Sequence, residues 1–208
     1  FAQMLIEDRA LPRDSEAESH IAQIVQACSH MGVLIDGILA LLRCTRGELQ
    51  RTTVDVSLLA ARRLYALGRN EPHRQVKRLI ESGLTVNGDA AMLEVLMNHL
   101  VDNAWKFTRD REDATIRLTP GEIDDHPAIC IADNGAGFDM DHIGRLYQPF
   151  QRLHRQDEFP GIGIGLATVQ RIIQRHGGET RVTATPGAGT TVCFCLPQAV
   201  SMEHGNEC

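Results

Sequence analysis

Positive charge is scarce in this chain. Among 208 residues, 21 Lys and Arg stand against 27 Asp and Glu, a net charge of −6. That excludes a broad basic footprint and, with it, a nucleic-acid partner held by charge. No apolar run approaches the ~18–20 residues that a membrane-spanning helix requires. The start, Phe1-Ala2-Gln3-Met4-Leu5, lacks the basic end and long apolar core of a signal peptide. Phe1 is not a natural start, so further residues are expected upstream. No Cys-x-x-Cys pair occurs among Cys28, Cys44, Cys130, Cys193, Cys195 and Cys208. By spacing these read as small apolar residues in a reduced compartment, and no metal cluster is expected. Internal repeats and low-complexity segments are also absent.

What is present first is a long amphipathic helix. After the turn Leu11-Pro12-Arg13-Asp14, apolar residues fall on a heptad up to about Arg46. Ile21, Cys28, Ile35 and Leu42 hold one seam position; Ile24, Met31 and Ile38 hold the other. Val25, Leu34 and Leu39 widen the stripe beyond a two-stranded seam, which suits a four-helix bundle. One long helix and the stub of another cannot complete a bundle, so a second copy is expected to supply the rest.

Residues 47–53 read as a linker, 54–198 as a second domain and 199–208 as a loose polar tail. In the second domain, strands are expected at 54–56, 75–80, 114–118, 128–132, 181–184 and 190–196. Helices are expected to about Leu67 with Ser57 as the cap, from 90 to 107 and from 166 to 176. This order lacks the βαβ rhythm of a doubly wound fold. A two-layer α/β sandwich, a mixed sheet with helices on one face, fits an α+β class.

Three motifs carry chemistry. On the helix 90–107, His99, Asn103 and Lys106 share a face at i, i+4 and i+7, beside a core stripe of Leu93, Leu96, Met97, Leu100, Ala104 and Phe107. An amide offers a neutral oxygen to Mg²⁺, and an ammonium neutralises phosphate. Asp133-Asn134-Gly135-Ala136-Gly137-Phe138 follows an apolar strand. A carboxylate there suits an exocyclic amine such as that of adenine, and Gly135 and Gly137 let the backbone approach a flat ring. The same Asp-Asn-Gly is also a common turn signal. Gly161, Gly163 and Gly165 precede a helix at Leu166, whose free N–H groups would bind an anion. The stretch from Phe150 to Gly161 reads as a lid, with Arg152 its candidate phosphate contact.

Together these motifs resemble the ATP-binding domain of sensor histidine kinases, in an ATPase group shared with gyrase, the mismatch-repair ATPase and a heat-shock chaperone. Residues 103–107 resemble the asparagine box, 133–137 and 161–166 the two glycine boxes, and 147–152 the phenylalanine box. Residues 1–46 resemble the end of the first helix and the whole second helix of the dimerisation and histidine-phosphotransfer domain. The wording of the boxes is similar to kinases linked to PAS or phytochrome-type sensors. The resemblance implies ATP and Mg²⁺ as ligands. Asp133 would bind adenine, Asn103 would ligate Mg²⁺, and Lys106 and Arg152 would contact phosphates, with Gly135, Gly137, Gly161, Gly163, Gly165 and Leu166 lining the pocket. It further implies a cytoplasmic homodimer through residues 1–46, an upstream sensor domain and a response-regulator receiver domain as partner.

Two departures stand out. No His is followed by Asp or Glu with a Pro a turn later, so the phospho-acceptor is absent from this chain. His99 stands where the asparagine box usually has another Asn. A clamp-type ATPase would place a Glu base there, and a nucleotide-binding pseudokinase is the other alternative.

Overall fold

The computed structural model describes residues 48–151, 158, 159 and 163–197, with His20, Ile21 and Ile24. Apart from those three, the expected helical hairpin (1–46) lies outside the described residues, as do Arg152, Gly161 and the tail (199–208). The fold below belongs to the unit Cys44–Cys208.

The first strand, β1 (Arg51–Asp55), pairs antiparallel with β3 (Thr85–Asp89) in a two-stranded sheet. It begins inside the stretch expected as a linker. Arg51-Thr52-Thr53 has no apolar alternation, so only its partner strand reveals it. Helix α1 (Val56–Asn70) is capped by Asp55, whose side chain accepts from the Leu58 N–H at 2.9 Å. The sequence had pointed to Ser57 as the cap. Ser57 is instead buried, its hydroxyl donating to the Glu81 carbonyl at 2.6 Å and accepting from the Leu84 N–H at 3.0 Å.

Helix α2 spans Ala90–Phe107, as expected, with Asp89 capping through the Met92 N–H at 3.2 Å. Its buried stripe holds Leu93, Leu96, Met97, Leu100 and Ala104, joined by Val101 and Trp105. Phe107, expected in the core, is only half-buried because it stands at the end of the helix. Trp105 lies beneath Arg74, whose guanidinium sits 4.5 Å from the ring centroid. Arg74 also donates to the Trp105 carbonyl at 2.6 Å and to Thr108 Oγ1 at 2.9 Å. It thereby satisfies one of the carbonyls a helix end leaves unpaired.

The main sheet has the order β2-β4-β5-β7-β6, from β2 (Lys77–Ile80), β4 (Thr115–Ile123), β5 (His126–Asp133), β6 (Glu179–Thr185) and β7 (Gly189–Cys195). β2 and β4 are parallel and the other pairs antiparallel, so the sheet is mixed. A 3-10 turn (Met140–His142) and the one-turn helix α3 (Ile143–Leu146) follow β5. Helix α4 (Gly165–Arg175) then precedes β6. Ile116, Leu118, Ile129, Ile131, Val192 and Phe194 from the sheet share one core with residues of α1, α2 and α4. Each such side chain contributes about 1.5–3 kcal/mol when fully buried. The expected two-layer α/β sandwich is the observed fold.

A further expectation is overturned. Cys130 and Cys193, read as free thiols, form a disulfide. Their separation of 63 residues conceals that they are direct partners on β5 and β7.

Candidate functional site

Helix α2 is the spine of the site. His99 and Asn103 lie one turn apart and meet the start of α4. A Cβ placed on Gly165 would lie 3.4 Å from His99 Nδ1 and 3.8 Å from Asn103 Nδ2. Neither side chain hydrogen-bonds to a described residue. Burial pulls the His99 pKa below its ordinary value; Asp102 opposes that shift and Arg63 adds to it. A neutral imidazole is the result at neutral pH. Arg63 reaches Asp102 from α1 through two bonds of 2.6 and 2.7 Å.

The N-terminus of α4 has no side-chain cap. Its first N–H groups are a ready anion site. Gly163 leads into it with φ +79°, and a Cβ there would come within 2.4 Å of the Gln151 carbonyl oxygen. The Gly163 carbonyl accepts from the Phe150 N–H at 3.1 Å. The glycine run and the end of the phenylalanine box are thus tied together. Leu166 sits half-buried in the first turn of α4.

Asp133 ends β5. Its Oδ1 accepts from the Gly135 N–H at 2.8 Å, and a backbone bond from Thr190 also reaches the carboxylate. Burial nevertheless raises its pKa to about 6 against these two bonds. The loop after it is stitched on both sides. Ala136 N–H donates to the Phe107 carbonyl at 3.0 Å, and Gly187 N–H donates to the Ala136 carbonyl at 2.7 Å. A Cβ on Gly135 would lie 2.4 Å from the Phe107 oxygen, and one on Gly137 would lie 2.0 Å from the Thr185 oxygen. These glycines permit close backbone approach to α2 and β6. Lys106 Nζ lies 4.2 Å from the Phe107 ring centroid, and Phe107 meets Phe159 edge-on at 5.1 Å.

Three further residues shape this loop without any motif pointing to their roles. Asn134 turns away from the pocket, accepting from the Thr115 N–H at 2.8 Å and donating to the Asp113 carbonyl at 3.0 Å. Arg111 donates to the carbonyls of both Gly187 and Gly135. Gly189 has φ +105°, and a Cβ there would lie 1.9 Å from the Asp133 oxygen. The contact of Gly187 with the loop after Asp133 has no signal in the sequence, because the two lie far apart along the chain.

No cluster of three His, Cys, Asp or Glu that could hold a metal occurs among the described residues. A hard cation carried by a nucleotide needs none, because phosphate and water oxygens fill most of its shell. Asn103, its amide free of hydrogen bonds to the described residues and beside the α4 N-terminus, fits such a Mg²⁺.

Residues 88–200 match the model of the histidine kinase-, DNA gyrase B-, and HSP90-like ATPase family. The chain belongs to this ATPase family. Its relatives include the phytochrome-like protein Cph1 of Synechocystis sp., 30% identical, with 88% of this chain and 24% of that protein covered. Another is the signal transduction histidine-protein kinase/phosphatase MprB of Mycobacterium ulcerans, 32% identical, with 86% of this chain and 35% of that protein covered. The chain thus spans about a quarter to a third of the curated relatives it matches. Among solved structures, a mycobacterial sensor histidine kinase MprB superposes with a TM-score of 0.57 at 26% identity, covering 71% of this chain and 97% of that one. The ATPase family places its matched region over α2, the Asp133 loop and α4, where the geometry above converges. No helix among the described residues is long and apolar enough to cross a membrane.

Proposed function

We propose that the chain is the ATP-binding part of a sensor histidine kinase. In the longer protein, the γ-phosphate of ATP would pass to a histidine outside this chain and then to a response-regulator aspartate. The supporting observation is the path of α2. Its middle brings His99 and Asn103 to the uncapped start of α4, while its last residue touches the loop after Asp133. One rigid helix therefore spans a phosphate-binding end and a base-binding end.

In this reading the Asp133 carboxylate accepts from the adenine amine, and Gly135 and Gly137 let the loop beside it pack against α2 and β6. A keto base would leave the carboxylate facing an acceptor, which is strongly unfavourable. The N–H groups at the start of α4, with Lys106 and Arg152, hold the triphosphate. Asn103, with His99 beside it, would hold Mg²⁺, which supplies charge neutralisation at the phosphate oxygens. Phosphoryl transfer asks the protein for positioning and electrostatics rather than covalent chemistry. Residues 1–46 would pair two copies, residues 47–53 would include the hinge to the ATP-binding domain (54–198), and a receiver domain would dock on the helices.

Calorimetry with ATP–Mg²⁺ tests the binding claim: the native chain binds and Asp133→Ala does not. Unchanged affinity in that variant would overturn the adenine assignment. Labelled ATP should leave no acid-labile phosphate on this chain but should label a longer form that carries the acceptor. His99, in place of the usual Asn, favours one second reading, a nucleotide-binding pseudokinase. Tight ATP binding without transfer in the longer form would establish it.

A further inference from the structure

The outer face of the sheet carries three cysteines that the nucleotide site does not use. Cys130 and Cys193 are opposed on β5 and β7 with Cα atoms 4.0 Å apart, and they are bonded. Their strand neighbours Ile129, Ile131, Val192 and Phe194 fill the core. Alternation therefore puts both sulfurs on the face away from the helices. Cys195 follows on the same face as a partly exposed free thiol. Gly121 on β4 completes the arrangement: a Cβ there would lie 2.5 Å from Cys130 Sγ. Glycine inside a strand weakens it and marks a place where another group comes close. Here that group is the Cys130 sulfur.

The bonded pair lies three register positions from Asp133 on the same two strands. The β5–β7 register runs Cys130↔Cys193, Ile131↔Val192, Ala132↔Thr191, Asp133↔Thr190. Thr190 in turn bonds the Asp133 carboxylate through its backbone. A covalent link at the first of these pairs restrains the relative motion of the two strands that build the end of the pocket.

We propose that Cys130 and Cys193 are a reversible thiol–disulfide site, closed by a hydroperoxide and reopened by a dithiol, whose closure tightens binding of the adenine nucleotide. The coupling rests on the nucleotide reading above; the thiol chemistry does not. In closure, the partly exposed Cys193 thiol attacks one peroxide oxygen, forming a sulfenic acid and releasing water. The Cys130 thiol then attacks that sulfur, forming the S–S bond and releasing a second water. Two protons and two electrons leave the thiols and reduce hydrogen peroxide to two waters. In reopening, a small dithiol takes both electrons from its own sulfurs to the protein and leaves as a cyclic disulfide.

The test uses the full chain, reduced and then treated with hydrogen peroxide. Peptide mapping, thermal melting and calorimetry with an ATP analogue are run on both states. The 130–193 link should be the first to form and should reverse with dithiothreitol. Affinity should rise about fivefold on closure, and Cys195→Ser should leave both results unchanged. Cys130→Ala/Cys193→Ala should hold the weaker affinity in either condition, provided its melting midpoint matches that of the reduced chain; Cys193→Ser, with a smaller change of shape, serves as the second variant. A different first pairing, or no link at all, overturns the site. A mapped, reversible link with equal affinity in both states overturns the coupling. Absence of nucleotide binding in both states counts against the proposed function and the coupling, while the mapped link still supports the thiol chemistry.

Discussion

His176 Nε2 accepts a hydrogen bond of 3.0 Å from the backbone N–H of Asp89. The other ring nitrogen, Nδ1, lies 2.7 Å from the Ile172 carbonyl oxygen. These partners assign the proton to Nδ1. The ring is fully buried, so the C-terminal end of α4 is tied to the residue that caps α2. The opposite end of α4 meets His99 and Asn103. The two helices of the site are held at both ends.

Removing that ring leaves a cavity and takes the partner from the Asp89 N–H, while the Ile172 carbonyl keeps the backbone N–H of residue 176 at 3.1 Å. His176→Ala should cost about 3 kcal/mol in urea unfolding. His176→Gln can place an oxygen near Nε2 and should retain more stability than His176→Asn, which can replace only the Nδ1 donor. Equal losses for Gln and Asn would show that the Asp89 bond contributes little.

Asp133 gives opposite pH trends for stability and binding. Its value of about 6 in the folded chain exceeds the ordinary 3.8. Protonation therefore favours the folded, ligand-free chain. About 3 kcal/mol of stability is present below the unfolded value and lost as pH rises through about 6, at ~1.4 kcal/mol per pH unit. On the proposed function, adenine binding needs the ionised form, so ATP affinity should fall as pH drops below about 6. Asp133→Asn should flatten both trends, as read by calorimetry and melting across that range.

His99 should matter through its neutral nitrogen. His99→Ala is expected to weaken ATP–Mg²⁺ binding about tenfold, a loss of ~1.4 kcal/mol. His99→Asn should stay within about threefold of the native chain, because an amide restores a neutral donor and acceptor. Binding of ATP without Mg²⁺ should change less in both variants.

Gly189→Ala should be severe. The added carbon would meet the Asp133 carbonyl oxygen at 1.9 Å, with φ +105° against it. A loss of more than about 3 kcal/mol is expected, together with lost nucleotide binding in whatever remains folded. Arg63→Ala supplies the contrast. The Arg63–Asp102 pair is more than a third exposed on both sides, so its loss should cost no more than about 1 kcal/mol in thermal melting.

Much of the fold was legible because its signals are local. The bounds of α2 followed from the apolar stripe between Asp89 and Phe107, and the strands around Cys130 and Cys193 from their β-branched and apolar runs. β1 was partly hidden, since Arg51-Thr52-Thr53 carries no period-two pattern and is ordered by β3. Ser57 looked like a helix cap because capping residues are recognised by type. Asp55, two residues earlier, took that place, and Ser57 instead satisfied Glu81 and Leu84. Arg111 had no signal, because its acceptors Gly135 and Gly187 are distant in sequence.

By itself, the sequence determined the motifs on which the proposed nucleotide site rests, and their order: Asn103 and Lys106, then Asp133 with its glycines, then the glycine run before α4. Short-range periodicity and motif spacing suffice for that. Only the tertiary structure decided which distant backbones touch. It set Gly165 against His99, Gly187 against Ala136, Asp89 against His176 and Cys130 against Cys193. Those contacts arise from strand register and helix packing, which depend on the whole core at once.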